Sequence, residues 1–224
     1  MIVTIRFDDG TISQYTKAFK YMQKYQIPGS IYVIGKHLEK SYKRPEYINL
    51  QKLREMQTEG WEVGYHSWSH NPKWIDSEDY EREIDPTLLE KNGIRVNTFA
   101  LPHSVYNEKV LQTLQKRYRG LVGIPTNLYF NSTEKLPENK LLYSYTVTSK
   151  TTLDDLNTAL KYCIEQKKYP IFLFHKFEEV PSSKWSFPID LFEKFIEILH
   201  TLEELKILKV LTVRGAISRI ISNN

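Results

Sequence analysis

Runs rich in β-branched and aromatic residues alternate with amphipathic stretches of helical period along the whole chain, and this alternation constrains the fold more than any other feature. IVTIRF (2–7), SIYVI (30–34), WEVGY (61–65), VNTFAL (96–101), GLVGI (120–124), LYSYTV (142–147), IFLFH (171–175) and ILKVLT (207–212) read as strands. Helical patterns fill 13–25, 47–58, 78–91, 107–118, 152–167 and 189–204, most of them opened by Ser, Asn, Asp or Thr as N-caps. Strand and helix in turn is the α/β pattern. Seven or eight such units predict a distorted (β/α) barrel, with an open doubly wound sheet as the alternative. In either architecture ligands gather on the loops that follow the strands. A chain of 224 residues that is 41% hydrophobic suits one domain spanning 1–224.

Other classes are disfavoured by what is missing. The formal charge of +4 comes from Lys and Arg spread along the chain, with no basic block to track a phosphate backbone, so no nucleic-acid partner is expected. A lone cysteine, Cys163, gives neither a disulfide framework nor a cysteine zinc site and reads as a small core filler. The chain opens on MIVTIRF, without a charged leader, and holds no apolar run near bilayer length. The expectation is a cytoplasmic protein with no membrane partner, although a trimmed chain would read the same. Nothing in the sequence indicates an oligomeric state.

Chemistry-bearing residues stand after four of the expected strands. Asp8 and Asp9 follow the first, and two carboxylates this close repel unless a cation or a proton offsets them. HSWSH follows the third expected strand; His66 and His70, spaced i, i+4, would meet on one side of a helical turn and could bind a metal. Two histidines are one ligand short of a hydrolytic site with open positions, and one Asp of the pair supplies the third. PHSVYN follows the fourth strand, and His175 ends IFLFH. Taken singly, each feature has a plainer reading: DDG as a turn, H-x-x-x-H as chance, a lone histidine as a hydrogen-bonded one. One barrel mouth would gather them all, which favours a joint site. An aspartate phosphatase opening, D-x-D-G-T, does not fit, because Gly10 stands two residues after Asp8 and His66, His70 and His175 would go unexplained.

Four motifs, RFDDG (6–10), HSWSH (66–70), FALPHSVYN (99–107) and LFH (173–175), occur in the order and spacing of the polysaccharide deacetylase family, the NodB-homology domain of carbohydrate esterases. The chain resembles that family over nearly its whole length. The resemblance implies a deacetylase-type TIM-like barrel with one divalent metal ion, zinc by default and cobalt, nickel or manganese as alternatives. It implies Asp8 as general base, Asp9, His66 and His70 as metal ligands, and His175 as general acid. It further implies Leu173 in the acyl pocket and a backbone N–H beside Pro102, that of His103, at the oxyanion. The implied activity is removal of N-acetyl groups from an amino-sugar polysaccharide or oligosaccharide. Alternatives are the same site acting on a small amide or ureide, or a non-catalytic carbohydrate-binding relative.

Two departures stand out. Many members carry R-x-P in the third motif, its Arg pairing with the base, whereas Ala100 occupies that position here. The D-x-W motif that orients the acid has no counterpart in YSYTVTSKTTLDDL, where Asp154 and Asp155 read as first-turn helix acids. His103, Tyr106, Trp68, Trp74 and Trp185 are candidates for substrate contact on loops, whereas His37 and His200 read as structural.

Overall fold

The computed structural model describes residues 1–39, 44–127 and 129–222. Nine parallel strands form its main sheet: β1 Ile2–Phe7, β2 Ser30–Val33, β3 Glu62–Tyr65, β4 Val96–Ala100, β5 Gly120–Gly123, β6 Leu141–Tyr143, β7 Tyr145–Thr146, β8 Ile171–Phe174 and β9 Lys209–Val210. The order is β6-β5-β4-β3-β2-β1-β8-β7, with β9 beside the start of β1. β6 and β7 belong to one run that breaks at Ser144; the first half bonds to β5 and the second to β8. The two ends of the sheet therefore meet in a single stretch of chain, and the barrel is nearly closed. The expected strand 142–147 is this interrupted run.

Alternation along the strands sorts the side chains to two sides. Ile5 and Phe7 face outward into the layer beneath the helices, where Phe7 stacks on Trp61 at 5.0 Å and packs near Phe174, Phe177 and Phe192. Ile2 points inward with Tyr32, Ala100, Val122, Leu142 and Ile171. Thr4 and Arg6 share its side, so the barrel interior is part apolar and part polar.

The N-terminal mouth is closed by a helix, Val213–Ser222, beyond those expected from the sequence. Val213, Ala216, Ile217 and Ile220 complete the inner cluster. A Cβ at Gly120 would lie 2.2 Å from Ile217 Cδ1, so any larger residue on β5 would displace the Ile217 side chain of the plug helix. Glu62, buried at the start of β3, holds the helix in place. It accepts the Arg214 N–H at 2.8 Å, the Ser30 hydroxyl at 3.0 Å and the Thr98 hydroxyl at 2.6 Å. Ser30 in turn accepts the Val213 N–H at 2.9 Å. A carboxylate on two strands and a helix N-terminus satisfies donors that would otherwise be stranded in the floor.

The remaining helices follow the expected pattern with shifts that have local causes. Leu50–Thr58 and Glu108–Arg117 start at Asn49 and Asn107, whose side chains accept the N–H three residues on. Leu153–Glu165 opens on a Thr152–Asp155 capping box, which accounts for the acid there. The helix expected over 78–91 is two short ones, Tyr80–Glu83 and Thr87–Glu90, because Pro86 interrupts it. The one expected over 13–25 begins as a π-helix, Gln14–Phe19, before the α-helix Lys20–Gln23. Of the strand expected over 207–212, only Lys209–Val210 is paired. No helix among the described residues is long and apolar enough to cross a membrane. Replacing Glu62 by Ala leaves the floor donors unpaired and is expected to cost about 3 kcal/mol or more, measured by urea unfolding.

Candidate active site

At the opposite mouth, the loops after β1, β3, β4 and β8 converge. Asp8 extends the inward side of β1, where Arg6 lies two residues before it. Arg6 is 1% exposed and grips both oxygens of Asp8, Nε to Oδ1 at 2.8 Å and Nη2 to Oδ2 at 2.6 Å. Its remaining nitrogen donates to Ser144 Oγ at 2.8 Å and to the Gly123 carbonyl at 3.3 Å, and the guanidinium lies 5.3 Å from the Tyr32 ring centroid. This is the guanidinium absent at position 100: it comes from β1, while Ala100 keeps a small side chain on the inner side of β4. Burial alone would raise the Asp8 pKa, but Arg6, aided by His66 and His175, holds it below the ordinary carboxylate value.

Asp9 turns away from that pair. Its φ of 76° and the 71° of Gly10 are left-handed, which Asp tolerates and Gly adopts freely, so the chain reverses at once after β1. Asp9 Oδ1 is buried, makes no hydrogen bond, and lies 3.7 Å from His66 Nε2 and 3.5 Å from His70 Nε2. The two histidines reach this point from an irregular loop rather than the expected helical turn. Ser67 and His70 have φ of 58° and 52°, and the Ser67 hydroxyl accepts the His70 N–H at 3.0 Å. His66 Nδ1 donates to the Ala100 carbonyl at 2.9 Å, which leaves the Nε2 lone pair toward Asp9. Burial lowers both imidazole pKa values to about 4, so both rings are neutral near pH 7.

One ligand atom from each of Asp9, His66 and His70 lies within 4.8 Å of the others. A buried carboxylate oxygen without a hydrogen-bond partner, facing the Nε2 atoms of two neutral imidazoles, is a donor set suited to a divalent cation. The residues present fit the metal that the motif spacing implies.

The rest of the mouth is built around this cluster. His103, on the short turn Pro102–Ser104, has φ of 53° and packs its ring 4.5 Å from that of His70. Ser104 Oγ accepts the Ile124 N–H at 2.6 Å and ties this turn to the loop after β5. Gln14, which sequence reasoning passed over, donates its side-chain amide to the carbonyls of both Asp8 and His175 and so fixes the exits of β1 and β8 to each other. His175 Nδ1 is buried without a hydrogen-bond partner, and the Trp185 ring lies against the imidazole at 4.8 Å. Leu173, fully buried, is in register with Arg6 on the neighbouring strand. Trp74 is a correction: it is fully buried against Phe99 and Tyr80 and belongs to the core, not to a substrate surface. Trp68 is covered by the Arg82 guanidinium at 4.0 Å. His37 stacks on Tyr47, and the His200 ring lies tilted 4.8 Å from that of Tyr25. The signal for Arg6 was present in the sequence, since residues 6 and 8 of one strand face the same side.

Comparison with known proteins places this arrangement. The solved structures that resemble it include a family 4 acetyl xylan esterase from Clostridium thermocellum in complex with a cobalt ion, at TM-score 0.64 and 17% identity over 97% of this chain and 91% of that one. A T48 deacetylase with substrate matches at TM-score 0.61 and 18% identity over 97% and 90%. The peptidoglycan deacetylase PdaC from Bacillus subtilis, as a D285S mutant, matches at TM-score 0.59 and 17% identity over 99% and 91%. These likenesses establish a shared barrel. The sequence profile of the polysaccharide deacetylase family matches residues 1–118, and the chain belongs to that family. No curated protein sequence matches it.

Removing Asp8 would strand the Arg6 guanidinium in the barrel. Asp8→Ala is therefore expected to destabilise the protein by about 3–5 kcal/mol in chemical denaturation, with Asp8→Asn costing less because its amide oxygen still accepts a bond.

Proposed function

We propose that this protein is a metal-dependent hydrolase that removes N-acetyl groups from an amino-sugar polysaccharide or oligosaccharide. The observation that carries the reading is the convergence, at one barrel mouth, of an Asp-His-His cluster with a second carboxylate and a further histidine. Asp9, His66 and His70 would hold the cation, zinc by default. When bound, a divalent cation supplies Lewis acidity to the amide carbonyl and to the attacking water.

The other steps fall to side chains already in place. Asp8, ionised beside Arg6, takes a proton from water as its oxygen bonds to the carbonyl carbon. The backbone N–H of His103 donates to the oxygen that gains negative charge. As the carbon–nitrogen bond breaks, His175 gives its proton to the nitrogen, which leaves as a neutral amine; the other product is acetate. Leu173 offers an apolar wall for the acetyl methyl. Beside Ser104 a cavity of about 550 Å³ is lined by Tyr106, Tyr129 and Tyr143. Tyr106 and Tyr129 are partly exposed there, and their faces suit a neighbouring sugar ring.

Acetate release from chitooligosaccharides, poly-N-acetylglucosamine and peptidoglycan fragments, with and without added metal, tests the reading. Metal-stimulated release is expected. Release from none of them, with turnover of a small amide or ureide, would move the activity to that substrate class. Asp9→Ala or His70→Ala is expected to lose bound metal by elemental analysis together with activity. Asp8→Asn and His175→Gln should keep the metal and lose about 10²–10⁴-fold in kcat. Tyr129→Ala should raise KM for an oligosaccharide several-fold and leave that for a monosaccharide unchanged.

A further inference from the structure

The two adjacent aspartates stand almost equally close to His66, and Asp9 also lies 3.5 Å from His70. His66 Nε2 lies 3.6 Å from Asp8 Oδ2 and 3.7 Å from Asp9 Oδ1, so distance to the shared imidazole does not choose between them. They differ in what else they touch. Both oxygens of Asp8 are held by the Arg6 fork, whereas Asp9 Oδ1 is buried and has no hydrogen-bond partner.

We infer that Arg6 decides which aspartate binds the cation: it keeps Asp8 out of the ligand set and so leaves Asp9 as the single carboxylate ligand. A guanidinium that engages a carboxylate through two parallel bonds fixes its plane as well as its charge. Asp8 Oδ2 already lies 3.6 Å from His66 Nε2, and bringing it further into a ligand position would twist the carboxylate out of the plane that the fork fixes. Arg6 cannot follow, because Ser144 and Gly123 hold its other end at the break between β6 and β7, where the barrel closes. The division of labour between the aspartates is thus set from below, by the closure of the sheet. Arg6 acts through Asp8 and is a positioning residue.

This inference rests on the proposed metal site, and its test reads the metal and not acetate. Cobalt(II) is titrated into wild type and Arg6→Met, and the visible absorption of the bound ion is recorded with its dissociation constant. With Arg6 removed, Asp8 is expected to join the ligands. The bands should then shift and lose intensity as the coordination number rises, and binding should tighten by about tenfold. Adding Asp8→Asn to Arg6→Met takes the extra ligand away and should restore the wild-type spectrum. That double variant also removes the buried charge imbalance. Should Arg6→Met not fold, Arg6→Lys keeps the charge but can engage one oxygen only, and the same shift is expected at smaller amplitude. A wild-type spectrum and affinity in whichever single variant folds would overturn the inference. The spectral shift supports it whether or not the wild-type protein releases acetate.

Discussion

A charged pair, Arg6 with Asp8, sits inside the barrel on which the fold and the site both depend. A guanidinium that is 1% exposed is tolerable only with its donors satisfied, and here a carboxylate, a hydroxyl and a carbonyl take them. Those partners belong to β1, to the break at Ser144 and to the end of β5. The same side chain therefore joins the first strand to the place where the sheet meets itself. Replacing this pair with apolar residues could leave the barrel folded, but Asp8 would then no longer be fixed beside a metal-ready cluster.

The barrel separates two jobs along its axis. Its floor is a stability device: Glu62 gathers donors from β2, β4 and the start of the closing helix, and Ile217 fills the space that Gly120 leaves. Its upper mouth carries left-handed backbone at Asp9, Ser67, His70, His103 and Ser104. Such conformations persist where surrounding contacts determine them, as Ser67 does for His70 and Gln14 does for the exits of β1 and β8. Rigid strands below and constrained loops above place groups distant in sequence within a few ångströms.

Much of this was legible in the sequence because each site residue follows an apolar strand, and parallel strands in a barrel send their following loops to one end. Asp8, Asp9, His66, His70 and His175 could be grouped on that basis. Arg6 was overlooked because the guanidinium was sought at position 100, by analogy with relatives, and not on the strand that carries the aspartates. The closing helix was missed because its start continues the β-branched run of ILKVLT and Gly215 interrupts it, although Val213, Ala216, Ile217 and Ile220 keep the helical spacing. Trp74 looked like a loop aromatic because nothing in a single sequence shows that a loop folds back over Phe99. The separation of roles between two neighbouring carboxylates could not be read at all, since it depends on a left-handed turn at Asp9 and on a contact across the barrel.

A crystal structure of the zinc-loaded protein, with anomalous diffraction collected at the zinc edge, tests the central claim most directly. One peak is expected, about 2 Å from an Asp9 oxygen and from the Nε2 atoms of His66 and His70, with Asp8 still paired to Arg6. A zinc ion coordinated by Asp8, or no peak at that mouth of the barrel, would contradict it.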